Sequence, residues 1–283
     1  MQIVSYNIQW GKGRDGRIDL GRIARAIGDA DVIALQEVER NWREQEYPDQ
    51  ALRLAGLLPD FHWVYGPAVD LDGGKGVRRQ IGNMILSRLA ITSTRTLPLP
   101  AWPVAGHIND QQSMIEAVIG NALRIYNVHL NYLAREQRLE QIERLLAFIG
   151  EAPRLGGPVT APGRAALGPE VEWMVLPDGR FPQMPTPAIL LGDFNSTPPS
   201  PELTTVAAER KALHGRFASA LALCGMGDDE GVTFPGGGEP LRLDHIFAST
   251  ELARNIRRAW IDTDAAGSDH QPVWAEFDID MPS

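Results

Sequence analysis

Apolar positions along the chain switch repeatedly between strand-like runs and helical spacing. Ile3-Val4-Ser5-Tyr6 reads as a strand. Leu20, Ile23, Ala24 and Ile27 then recur every three or four residues behind Asp19, which is placed as an N-cap. Val32-Ile33-Ala34-Leu35 is a continuous apolar run, as in a strand covered on both faces. The pattern predicts a helix over 49–58, an extended segment over His62–Tyr65, and strands over 81–86, 114–119 and 123–130. Glu136 to Phe148 is the clearest amphipathic helix, with Leu139, Ile142, Leu145, Leu146 and Ile149 on one side. Residues 188–191, 243–248 and 273–277 complete the predicted strands. Long irregular connections and only three or four helices favour a layered α/β sandwich of two sheets over a strict βαβ repeat. No internal repeat or low-complexity tract is present.

One stretch departs from this texture. Gly150 to Pro187 holds eight Pro and six Gly in 38 residues, so little regular structure is expected through most of it. Val171, Trp173 and Val175 alternate ahead of Pro177-Asp178-Gly179, a hairpin signal. An insertion of this length is either a surface excursion or a rim or lid that shapes substrate choice.

The 283 residues are 43% hydrophobic and 22% charged, ordinary for a globular chain, and are read as a single domain over 1–283 with the 150–187 insertion inside it. Lys and Arg number 27 against 36 Asp and Glu, a net charge of -9. Such a surface repels polyanions at long range, so nucleic acid is not the favoured partner. The single cysteine, Cys224, excludes an internal disulfide and sits in an apolar setting that predicts a buried, inert thiol. No run approaches the roughly 20 apolar residues of a membrane-spanning helix. Residues 1–7 do not resemble a signal peptide, so a cytoplasmic protein is expected.

Polar residues recur where strands end or begin: Tyr6-Asn7, Gln36-Glu37, Asn127-Val128-His129, Asp193-Phe194-Asn195, Leu243-Asp244-His245 and Ser268-Asp269-His270. A carboxylate at a strand end is usually a cap or turn former. Six such placements together point to a shared mouth.

These segments, with Gly82-Asn83-Met84-Ile85-Leu86-Ser87-Arg88 and Ser268-Asp269-His270-Gln271-Pro272-Val273, resemble in content and order the endonuclease/exonuclease/phosphatase superfamily of metal-dependent phosphoesterases. The resemblance runs from residue 3 to about 277. It implies a deoxyribonuclease I-like fold, a four-layer α/β sandwich of two packed mixed β-sheets flanked by helices. It also implies hydrolysis of a phosphoester with Mg²⁺ or Mn²⁺, a hard cation suited to oxygen ligands. On the matching positions Glu37 is the principal metal ligand. Asn7 adds a carbonyl oxygen or orients a bound water, and Asp269 reaches the same ion directly or through water. His270, partnered by Asp244, activates the attacking water as general base or stabilises the phosphoryl oxygens as imidazolium. Asp193 acts as acid or base, and Asn195 donates to a phosphoryl oxygen. His129 stands where apurinic endonucleases carry Tyr, and Gln9 where they carry Asp, which argues against that subfamily. Asn83 is either a phosphate donor or a turn residue.

The substrate expected is a small or lipid-derived phosphoester. DNA or RNA hydrolysis by the same chemistry is the first alternative, and a non-catalytic binding module on the same fold the second. His245 is read as structural, and His62, His107 and His214 as surface or core. Trp10 is open to a substrate-facing role. Arg78-Arg79 could help to hold a phosphate, whereas Arg254, Arg257 and Arg258 read as a solvated turn or helix face.

Overall fold

A computed structural model describes residues 1–279 apart from 44–47, 161–173, 214 and 237. The chain builds β1 (Gln2–Asn7), α1 (Leu20–Ile27), β2 (Val32–Arg40), α2 (Gln50–Leu57), β3 (His62–Asp72), β4 (Arg78–Ser87), β5 (Ile91–Pro98), β6 (Ser113–Ile119) and β7 (Leu123–His129). It continues through α3 (Arg135–Leu155), β8 (Ala188–Asp193), α4 (Pro201–Ala207), β9 (Phe217–Ser219), α5 (Ala220–Leu223), β10 (Asp244–Ser249), α6 (Thr250–Ala253), β11 (Ile256–Ile261) and β12 (Val273–Phe277). The predicted Asp19 cap is in place, and Asp49 caps the second helix in the same way. The Asp19 side chain accepts from Arg22 N at 3.1 Å and that of Asp49 from Leu52 N at 3.0 Å, contacts typically worth about 1 kcal/mol each.

Two six-stranded sheets form, in the orders β11-β12-β1-β2-β4-β3 and β5-β6-β7-β8-β10-β9. Each contains one parallel pair, β1 with β2 and β7 with β8; the other pairings are antiparallel. A parallel pair needs a crossover, supplied by α1 in one sheet and α3 in the other. The sheets pack face to face through Ile3, Ala34 and Ile85 against Ile115, Ile125, Ile189 and Ile246, all buried. The outer face of the first sheet is covered by α1 and α2 through Ile23, Ile27 and Leu54, that of the second by α3 and α4 through Ile142, Leu146, Leu203 and Val206. The result is the expected four-layer sandwich. Each fully buried Ile or Leu contributes about 1.5–3 kcal/mol.

Three strands and several short helices went unread in the sequence. β5 is a half-exposed edge strand with polar alternate positions, and β9 has three residues. β11 carries Arg257 and Arg258, which lie in a strand and not in a turn or helix, paired with Asp278 and Glu276. Edge strands face water, so the apolar alternation is diluted there. Cys224 also departs from expectation, being exposed just after the short helix α5.

The start of the 150–187 segment is helical, because α3 runs through Pro153 to Leu155. Proline removes the N–H that would bond the carbonyl four residues back, here that of Ile149. The buried Arg124 repairs the loss, donating Nη1 to Ile149 O at 2.8 Å. Residues 174–187 return along the end of the second sheet where β7 begins, with Gln183 N donating to Asn121 Oδ1 at 3.1 Å and Arg124 Nη2 to Thr186 O at 2.8 Å. Topology dictates this placement. A chain leaving α3 must enter β8 at the end parallel to the start of β7. Val171, Trp173 and His214 lie outside the described residues; the turn at Pro177-Asp178-Gly179 is present, with Leu176 N donating to Arg180 O at 2.7 Å and Gly179 N to Leu176 O at 2.8 Å. Among the described residues no helix is long and apolar enough to cross a membrane.

Candidate active site

The two parallel pairs end side by side. Asn7, the last residue of β1, pairs with Gln36, and His129, the last of β7, with Asp193. β10 runs antiparallel to β8, so its first residue, Asp244, lies opposite Asp193. β12 runs antiparallel to β1, which brings the preceding Ser268-Asp269-His270 to the same mouth. Chain ends from both sheets therefore converge on a cleft of about 210 Å³ lined by Glu37, Asn83, Asp110, His129, Tyr132, Asp193, Asn195 and His270, among others.

Local backbone geometry aims these groups. The β2–β4 register slips between Leu35 and Val38, and Glu37 adopts a left-handed φ of 58° in that bulge, a device that redirects a side chain next to a site. Asn195 is also left-handed, with φ 48°. At Gly192, φ is +141° and an added Cβ would fall 1.9 Å from Val128 O. Only glycine allows β7 and β8 this approach, and it sets the register that faces His129 with Asp193.

Asp193 is the hub. Its Oδ1 accepts from Asn195 N at 2.8 Å. Its Oδ2 accepts from Asn7 Nδ2 at 2.9 Å and lies 3.7 Å from His129 Nε2 and 3.8 Å from His270 Nε2. Asn7 Nδ2 also donates to Glu37 Oε1 at 2.9 Å, while its Oδ1 accepts from Gln9 N at 3.0 Å. The Asn7 amide thus bridges two carboxylates, and its carbonyl oxygen is engaged by the backbone. Asn195 Nδ2 donates to Leu130 O at 2.9 Å.

His270 Nδ1 lies 2.8 Å from Asp244 Oδ2, and both residues are buried. Burial opposes charge on the ring, but the Asp244 carboxylate, with Asp193 and Asp269 behind it, raises the His270 pKa well above its ordinary value. Burial raises the Asp244 pKa as well, against the pull of His270. The Thr233 hydroxyl oxygen accepts from Leu243 N and Asp244 N and fixes the start of β10. Asp193, Asp244 and His270 place candidate ligand atoms within 4.8 Å of one another, a set that could hold a metal ion.

Glu37, His129, Asp193, Asn195 and His270 line the cleft together, with Asp244 directly behind His270. Asp269 is half-buried and not among the lining residues. Its carboxylate accepts from Gln9 Nε2 at 2.6 Å and from Ser268 Oγ at 3.2 Å. Gln9, noted in the sequence only as a departure from a family pattern, is thereby tied to the site. Asn83 lies within β4, not in a turn, and its Nδ2 donates to Ser113 O at 2.9 Å. Asn127 and Gln36 bridge the sheets: Gln36 Nε2 donates to Asn127 Oδ1 at 2.7 Å, and Asn127 Nδ2 to the carbonyls of Leu35 and Met84.

His245 is buried on the far face of β10, 3.0 Å from Ser196 O, which fits its structural reading; His62 and His107 are exposed. Trp10 lies under the Arg43 guanidinium at 3.7 Å. Arg78 pairs with Asp70 and Arg79 lies over Trp42, so neither lines the cleft. The described residues 174–187 are likewise absent from the cleft lining. Asp110, Gln111, Gln112 and Tyr132 were missed, because a polar run between two strands carries no periodic signal.

The model of the Endonuclease/Exonuclease/phosphatase family matches residues 4–270. Similar solved structures include an endonuclease/exonuclease/phosphatase from Beutenbergia cavernae DSM 12333, 21% identical over 97% of this chain and 70% of that one, with a TM-score of 0.65. A mannosyl-6-phosphatase from Bacteroides thetaiotaomicron VPI-5482 is 17% identical over 99% and 100%, with a TM-score of 0.66. A 3'-5' exonuclease from Neisseria meningitidis is 20% identical over 99% and 100%, with a TM-score of 0.58. No curated protein matches the sequence. At these identities the likeness is one of fold.

Proposed function

Because the chain belongs to the endonuclease/exonuclease/phosphatase family, whose members are hydrolases acting on phosphoesters, we propose that it is a divalent-metal-dependent hydrolase of a small or lipid-derived phosphoester. One observation carries the metal. Among the described residues the cleft lining holds three carboxylates, Glu37, Asp110 and Asp193, and no Lys or Arg. A phosphate ester is an anion, and against three carboxylates the His270 ring alone leaves the lining net acidic, so a bound cation favours its entry.

The donor set fits a hard ion, being carboxylate oxygen held close by one amide. Glu37 is the principal ligand, Asn7 keeps Glu37 and Asp193 together, and Asp269 supports the site from behind Gln9. When bound, the ion supplies Lewis-acid stabilisation of the charge that develops on the phosphoryl oxygens. The protein's own residues do the rest. Asp244 accepts a hydrogen bond from His270 Nδ1, which fixes the orientation of the ring and turns Nε2 towards Asp193 and the cleft. Asp193 Oδ2, flanked by His129 and His270, handles the proton of the attacking water or the leaving oxygen. His129 and Asn195 donate to phosphoryl oxygens.

The preference for a small substrate rests on the net charge of -9 and on arginines already paired with acids or stacked on rings. The test is a panel of phosphomonoesters and phosphodiesters beside supercoiled plasmid and oligonucleotides, each with Mg²⁺, Mn²⁺ or EDTA. EDTA-sensitive turnover of small esters is expected. Rapid, salt-sensitive nicking would move the substrate to nucleic acid, and absence of any turnover would leave a binding module.

A further inference from the structure

A second wall of the cleft has been given no catalytic role above, Asp110 entering only as part of the acidic lining. It is formed by the strap from Leu99 to Gln112, between β5 and β6, and by Tyr132 ahead of α3. Three fully buried amides, Asn131, Gln137 and Gln141, anchor the strap. Gln141 Nε2 donates to Pro100 O at 2.9 Å and Gln137 Nε2 to Trp102 O at 2.9 Å. Asn131 Nδ2 donates to Asn109 Oδ1, and Asn109 Nδ2 to Trp102 O at 2.8 Å. Satisfied buried networks of this kind specify one conformation.

This rigid strap presents acceptors. Asp110 is half-buried, lines the cleft, and among the described residues has no hydrogen-bond or ion-pair partner for its carboxylate. Gln111 Nε2 is committed to the carbonyls of Leu99 and Gln112, and Asn83 Nδ2 to that of Ser113. The amide oxygens of these two lining residues are left as further acceptors. Tyr132 lines the same cleft with 55% of its surface exposed, its ring anchored by a hydroxyl that donates to Ile108 O at 3.3 Å.

Resting on the phosphoester reading, we propose that this wall reads the alcohol part of the substrate, and that this part is an uncharged, hydroxyl-bearing ring or polyol. Hydroxyls donate to Asp110 and to the Gln111 and Asn83 amide oxygens, and the ring lies against Tyr132. A second phosphate on the substrate is repelled by Asp110. The neutral amide oxygens beside Asp110 suit hydroxyl donors, and phosphoethanolamine tests for an ammonium in their place.

The test compares two primary alkyl esters of matched leaving group, a hexose 6-phosphate and the hydroxyl-free cyclohexylmethyl phosphate, or their methyl diesters if the enzyme cleaves diesters. Wild type should favour the hexose ester at least tenfold in kcat/KM, and Asp110→Asn should lower that ratio by about tenfold or more, since a site built for hydroxyls discriminates by unpaired groups. Tyr132→Ala should raise KM for both esters, and Tyr132→Phe, which keeps the ring but not the bond to Ile108 O, should restore it in large part. A wild-type ratio at or below one overturns the proposal, as does an unchanged ratio in Asp110→Asn. Equal loss of both activities together with the Mn²⁺-induced thermal shift would assign Asp110 to the ion. Preference for phosphoethanolamine or a hexose 1,6-bisphosphate would also overturn it. No turnover of any phosphoester would sink the phosphoester reading itself.

Discussion

His270 Nδ1 and Asp244 Oδ2 stand 2.8 Å apart, the carboxylate fully buried and the ring at the edge of the cleft. The carboxylate has one evident task, to hold the Nδ1 proton and with it the orientation of the ring. Asp244→Asn keeps the shape and removes that hold. We expect kcat on a phosphoester to fall by about 100-fold or more, with the thermal midpoint little changed. Near-wild-type kcat would remove the pair from the mechanism.

Glu37 reaches the cleft through a bulge and shares the Asn7 amide with Asp193. Glu37→Gln should leave the fold intact and abolish both turnover and the rise in thermal midpoint that saturating Mn²⁺ gives the wild type, since a ligand bound only by the folded state stabilises it by mass action. A preserved Mn²⁺ shift would place the ion elsewhere.

His245 predicts a pH dependence of stability. Burial pushes its pKa down to about 4, against its hydrogen bond to Ser196 O. Between roughly pH 6.5 and 4 the unfolded chain therefore binds a proton at this residue that the folded chain does not, and stability falls as pH falls through that window. The contribution is about 3 kcal/mol. Urea unfolding across the window should show a shallower decline for His245→Gln, which retains a donor to Ser196; parallel slopes would refute the assignment.

Gly192→Ala tests the close approach of β7 and β8. The added methyl meets Val128 O at 1.9 Å in a backbone region that disfavours side chains. Destabilisation of about 3 kcal/mol or more is expected in chemical denaturation. A loss under 1 kcal/mol would mean that the pair can open without cost.

Much of the fold was legible because burial leaves a periodic trace. The helix at Leu20 and the strand at Val32 were read from spacing and caps, and β5 and β11 were not, because edge strands bury too little to enforce alternation. The candidate site was legible as strand-end residues from Asn7 to His270, carried by the ordered resemblance. Their bond partners were not, since Asn7 and Asp193 are 186 residues apart and only packing makes them neighbours.

The sequence by itself therefore determined the layered α/β class, the acidic balance and the polar residues that gather at one mouth, because local periodicity and chemical type belong to the chain. Tertiary structure alone decided the bridging role of the Asn7 amide, the placement of Gln9 against Asp269, and the survival of α3 through Pro153, where Arg124 supplies the missing donor. It also placed the Asp110 strap and sent residues 174–187 to the opposite end of the sheet. These outcomes depend on which distant groups satisfy one another once water is excluded, and no local pattern encodes that.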